Sequence, residues 1–176
     1  MIWDTRAQPG RPVATFGCFQ DSGAPYLCVS SQPFNSQVFA CGVSTGELLV
    51  WDTRAKWVVH ELKNDDRDPV AAGTWGVAFH PRRPSHLFSC TGTGSLSKWY
   101  LPTDGQRPPS GNNFGGPTFG GSQNGGWGWE GRRELHALPS RSALVGVCYD
   151  EGADTVSAVS KHGHVVVAQG VKGMRL

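Results

Sequence analysis

Gly46-Glu47-Leu48-Leu49-Val50-Trp51-Asp52-Thr53-Arg54-Ala55 reads as a turn glycine, an apolar β-strand and a strand end marked by Trp-Asp. The same ending stands at the start of the chain as Ile2-Trp3-Asp4-Thr5-Arg6-Ala7, and an altered copy follows as Gly94-Ser95-Leu96-Ser97-Lys98-Trp99-Tyr100. The tryptophans sit at 3, 51 and 99, so both intervals are 48 residues. A fixed interval with a shared strand ending is the mark of a repeated supersecondary unit.

A Trp-Asp that recurs at roughly 40–45 residues signals a WD40 β-propeller, with four strands per blade. The excess in this chain fits one longer loop per copy. The fold class expected is therefore all-β, made of WD40-type propeller blades. The rest of the composition agrees. The chain has 176 residues with 24 glycines, 12 prolines, seven tryptophans and eight phenylalanines, which suits short strands and tight turns.

Several classes of function are disfavoured at once. A net charge of +2 gives no basic surface for nucleic acid. There is no run of ~18 apolar residues, so no membrane insertion is expected. The N-terminus lacks the basic and apolar regions of a signal peptide. The five cysteines, Cys18, Cys28, Cys41, Cys90 and Cys148, are odd in number and not spaced as a metal knuckle. An intracellular, reduced protein is the reading.

The chain divides as follows. Residues 1–19 read as a trailing half blade, with strands at Met1–Asp4 and Val13–Phe16. Residues 20–63 read as a complete blade, with strands at Tyr26–Val29, Val38–Gly42, Leu48–Trp51 and Trp57–His60. The first of these is expected to stop at the polar Ser30-Ser31-Gln32-Pro33. Residues 64–140 read as a blade with strands at Trp75–Phe79, Leu87–Cys90, Leu96–Trp99 and Glu134–Leu138. Its segment 102–131 holds ten glycines in thirty residues and reads as a disordered insertion, one that cannot bury enough to offset its ordering entropy. Residues 141–176 read as a last blade, with strands at Ala143–Tyr149, Thr155–Ser160 and His164–Ala168, lacking its outer strand. Cys41 and Cys90 are assigned matching places, ten and nine residues before their tryptophans. This amounts to a partial ring, about three to four blades of the seven of a common propeller. A closed four-bladed ring is the arithmetic alternative.

One stretch resembles a particular family. Trp75-x-Val77-x-Phe79-His80-Pro81-x-x-Pro84-x-His86-Leu87-Phe88-x-Cys90-x-x-x-Gly94-Ser95-Leu96 resembles a late blade of the small WD40-repeat nucleoporin of the Y-shaped, outer-ring nuclear pore subcomplex. Leu138-Pro139-Ser140-Arg141-Ser142 is similar to the start of that protein's last blade, and both Trp-Asp-x-Arg copies are placed as in it. The likeness covers only the C-terminal half of the family's propeller. Three features depart from the family: Tyr100 stands where it has aspartate, Thr93-Gly94 replaces Asp-Gly, and the insertion is Gly- and Phe-rich where the family's is serine-rich. The resemblance implies a non-catalytic scaffold that serves nucleocytoplasmic transport of protein and mRNA. It implies other outer-ring nucleoporins as partners and a place at the nuclear envelope, with a visit to kinetochores in mitosis.

No catalytic constellation is present. A G-x-x-x-x-G-K-[ST] loop is absent, as is a G-x-S-x-G elbow, and no cofactor or small-molecule substrate is expected. His162 and His164 lack a third metal ligand. Asp65, Asp66 and Asp68 lack the glycine and glutamate of a calcium loop. Phe114-Gly115 and Phe119-Gly120 are too few for Phe-Gly transport repeats, and Trp127 and Trp129 read as loop residues. Trp3, Asp4, Trp51, Asp52 and Trp99 are assigned to the structural repeat, the tryptophan filling space and the aspartate tying a turn. Arg6 and Arg54 are the candidates for facing a partner. A Trp-Asp-x-Arg ending also resembles the adaptor box of WD40 substrate receptors of cullin-RING ubiquitin ligases, the alternative function.

Overall fold

Three turns of one design set the architecture. Gly46, Gly94 and Gly163 each take a positive φ, at 97°, 88° and 82°. Each N–H returns 3.1 Å to a carbonyl three residues back, at Val43, Thr91 and Ser160 respectively. Only glycine adopts this backbone at no steric cost. The turns close hairpins between strands that carry apolar residues such as Leu48, Leu96 and Val166. In the computed structural model these hairpins grow into three antiparallel sheets. The structure describes residues 15, 23–54, 57–63, 73–100, 132–137 and 142–171.

The first sheet is β1 (Tyr26–Gln32), β2 (Asn35–Val43), β3 (Glu47–Asp52) and β4 (Trp57–Lys63), paired in that order. The second is β5 (Thr74–Phe79), β6 (His86–Thr91), β7 (Ser95–Tyr100) and β8 (Arg132–Ala137), again in order. The third holds β9 (Leu144–Asp150), β10 (Thr155–Ser160) and β11 (Val165–Gln169). These are all-β, WD40-type propeller blades, forming part of a ring. Every first strand carries one extra residue against its neighbour at the same place: Leu27, Trp75 and Val145. Such bulges bend a strand and sharpen its twist. The three bent strands lie side by side, with β5 between β1 and β9.

The cores lie between sheets. Ala40, Leu48, Val50 and Leu62 of the first sheet meet Val77, Phe79, Leu87 and Trp99 of the second. Phe88, Cys90 and Leu96 leave the second sheet on its other face and meet Leu144, Val156, Ala158 and Val166 of the third. A middle blade is thus apolar on both faces, which is why its strands show no simple alternation. The outer face of the first sheet gathers Cys41, Val43, Leu49 and Trp51.

Close approach near the bent strands demands glycine. A Cβ on Gly42 would collide with the carbonyl oxygen of Thr74 and stand 2.7 Å from Cys28 Sγ. The first and second sheets meet there with no room for a side chain.

Two expectations are corrected. β1 does not stop at Ser30: Ser30 pairs with Ala40, Ser31 with Phe39 and Gln32 with Asn35. Pairing with a longer β2 overrides the weak strand preference of these residues. Cys41 and Cys90 do not match either. Cys41 lies opposite Leu49, whereas Cys90 lies opposite Leu96, the counterpart of Leu48. A one-residue offset reverses the face, so the counterpart of Cys41 is Ser89. The half blade expected over 1–19, apart from Thr15, lies outside the described residues. So do Cys18, the acidic loop 64–68 and the insertion 102–131 with Phe114, Phe119, Trp127 and Trp129.

Candidate interaction surface

Trp51 is buried and stacks on Phe39, with ring centroids 6.2 Å apart and planes 5° from parallel. Trp99, its counterpart, is also buried and donates from Nε1 to Ser89 Oγ at 2.7 Å. Both tryptophans bind the third strand to the second within a blade. Asp52 Oδ1 accepts the backbone N–H of Arg54 at 2.8 Å and its Nε at 3.0 Å. Asp52 therefore ties its own turn, and Arg54 is folded back onto it. The arginine is still 68% exposed at the surface. Trp3, Asp4 and Arg6 lie outside the described residues.

Arg54 shares one end of the blades with the turns that join first to second strands. These turns are linked in series along a rim. Gln32 Nε2 donates to the carbonyl of Pro84 at 2.7 Å, which joins the first sheet to the second. Arg82 pairs with Glu151, which joins the second to the third. Phe34, 60% exposed, stands on the same rim. The rim thus carries polar and charged side chains with one exposed aromatic among them.

Behind the rim lies a seam of aromatic and basic side chains that sequence reasoning did not find. His80 is buried, and its Nδ1 accepts the N–H groups of Arg82 and Arg83 at 3.0 and 3.1 Å. Its ring packs 4.4 Å from that of Tyr149 of the third sheet. Tyr149 stacks on Phe88 and donates to Asp154 Oδ1 at 2.9 Å. Lys98, also buried, donates from Nζ to the carbonyl of Val171 at 3.0 Å. Burial, with help from Lys98, Arg83 and His80, lowers His86 from 6.5 to about 4, so it is neutral at pH 7.

Burial pushes the thiols of Cys41 and Cys90 up to about 12, which keeps them protonated and inert. Among the described residues no group of three or more His, Cys, Asp or Glu side chains could hold a metal ion. What this arrangement can do is join blades and present a rim.

No family model matches the chain. Over 104 residues it is 38% identical to Nucleoporin Nup43 of Mus musculus, and to the same degree to Nucleoporin Nup43 of Homo sapiens. The matched stretch is 58% of this chain and 26% of each relative, so the chain spans about a quarter of the length of these proteins. The likeness to a small WD40 nucleoporin that the motif from Trp75 to Leu96 implied is thus a likeness over more than half of the chain, carried on antiparallel propeller blades.

Proposed function

We propose that this chain is a non-catalytic scaffold of the nuclear pore outer ring, where it docks to other outer-ring nucleoporins through blade surfaces. The observation that carries this is the 38% identity to Nucleoporin Nup43 on a fold whose conspicuous polar groups tie blades together. In this reading the chain divides into blades at 20–63, 64–140 and 141–176, after a trailing half blade at 1–19. It supports pore assembly and nucleocytoplasmic transport of protein and mRNA. It binds neither nucleic acid nor a small-molecule substrate, does not insert in the membrane, and reaches kinetochores in mitosis. Arg54, and Arg6 in the earlier copy, face the partner. The ligase-adaptor reading is weaker, because it rests on the Trp-Asp-x-Arg box alone, whereas the scaffold reading has the 38% identity behind it. A fluorescent fusion of the chain tests the proposal by microscopy. A punctate nuclear rim is the expected result, and a diffuse signal that ignores the envelope contradicts it.

A further inference from the structure

The turn between β5 and β6 reads His80-Pro81-Arg82-Arg83-Pro84-Ser85. Ser85 has arginine both two and three residues before it, which no other serine or threonine of the chain has. Arg82, Arg83 and Ser85 all fall at positions that the motif from Trp75 to Leu96 leaves open, so the arrangement belongs to this chain. Serine kinases with acidic substrate grooves select by such charge patterns. Their carboxylates hold an arginine through paired, charge-assisted hydrogen bonds.

The fold presents this stretch on the rim, beyond the ends of both strands. The turn is closed at its base, where His80 donates its N–H to the carbonyl of His86 at 3.0 Å. His86 donates in turn to the carbonyl of Arg83 at 2.9 Å. Pro81 and Pro84 keep the segment from winding into a helix. Arg82 and Arg83 are exposed, and Ser85 is partly exposed, with its Oγ 3.2 Å from His86 Nδ1. Arg82 pairs with Glu151, but its side chain stays 77% exposed. An ion pair so open to water is weak, and a stronger anion can take the arginine from it.

We infer that Ser85 is a phosphorylation site for a serine kinase that selects basic substrates, and that the phosphate resets the link between the second and third sheets. In the transfer, Ser85 Oγ bonds to the γ-phosphorus of ATP. The bond from that phosphorus to the bridging oxygen breaks, ADP leaves, and the hydroxyl proton passes to the catalytic carboxylate of the kinase. The product carries about two negative charges and three acceptor oxygens beside the two arginines. It draws Arg82 in competition with Glu151 of the third sheet. The adjacent carbonyl of Pro84 accepts from Gln32 of the first sheet. One modification thus acts on the turn that ties the second sheet to both its neighbours.

The native 176-residue chain, incubated with ATP, magnesium and the catalytic subunit of cyclic-AMP-dependent kinase as the probe, tests this by tandem mass spectrometry. One phosphoryl group on Ser85 is the expected result. Ser85→Ala should abolish it, and Ser85→Thr, which keeps a hydroxyl, should carry the label at the same position. Arg82→Gln combined with Arg83→Gln should lower kcat/KM about 100-fold, as the loss of two charge-assisted contacts would, with far-ultraviolet circular dichroism unchanged. Phosphorylation should also quicken hydrogen exchange at Asp154, whose N–H is bonded to the Glu151 carbonyl, by up to about fivefold. Labelling only of the urea-unfolded chain would overturn the proposal. So would a label that persists in Ser85→Ala, or a rate indifferent to the two arginines. Exchange at Asp154 unmoved by the phosphate would overturn the competition for Arg82.

Discussion

Lys98 Nζ in β7 lies 3.0 Å from the carbonyl oxygen of Val171 and fastens the chain after β11 to the middle blade. Both residues are buried, so water cannot replace the contact. Lys98→Ala leaves a cavity and strips the carbonyl of a charged donor. A loss of about 3 kcal/mol is expected in urea unfolding. Hydrogen exchange at Gly170 and Val171 should accelerate more than exchange in β2 and β3. Equal acceleration throughout would mean that Lys98 supports the whole fold and does not fasten that segment.

Trp51→Ala and Trp99→Ala should each cost about 3–5 kcal/mol, because each removes a buried aromatic. Ser89→Ala removes only the acceptor of the Trp99 indole and should cost about 1–3 kcal/mol. Ranking the three by urea midpoint tests the order. Ser89→Ala as damaging as Trp99→Ala would make the hydrogen bond, and not the filled volume, the main role of the tryptophan.

Gly42→Ala forces a methyl group against the Thr74 carbonyl. Backbone must move, at about 1–3 kcal/mol or more. Gly152 is the control, since the nearest atom to a Cβ there is a side-chain oxygen at 3.4 Å. Gly152→Ala should stay within about 0.5 kcal/mol. Thermal melts of the two variants should differ clearly, and equal melts would refute the close approach of the first two sheets.

His86 makes the fold acid-sensitive. Its folded value of about 4 lies below the ordinary 6.5, so the unfolded chain takes up its proton first. The contribution is whole above pH 6.5, declines as pH falls, and is gone below about 4. Between pH 7 and 5 the melting temperature should fall less in His86→Gln than in the unaltered chain. Parallel pH profiles would show that His86 does not titrate between these values.

Much of the fold was legible because hairpin chemistry is local. Gly46, Gly94 and Gly163 stand where the repeat requires a left-handed residue, and apolar runs on each side set the strands. Strand ends were less legible, since Ser30 to Gln32 follow β2 and not their own preference. The contacts between blades were not legible at all. Nothing in the strand Ser95–Tyr100 marks Lys98 as buried, and only the stacking of a third sheet buries it. Cys41 and Cys90 are nearly equidistant from their tryptophans, but the pairing register puts them on opposite faces. Asp52 was expected to tie a turn. That it would hold Arg54 depends on side-chain geometry that spacing does not encode.

The central claim is membership of an outer-ring nucleoporin assembly. Affinity capture of the tagged chain from cells, with quantitative mass spectrometry of what is retained, tests it most directly. Outer-ring nucleoporins should be the most enriched proteins, and Val43→Asp on the buried outer face of the first sheet, by disrupting the blade, should abolish their capture. Enrichment of a cullin-RING ligase adaptor, with no nucleoporin above background, would contradict the account.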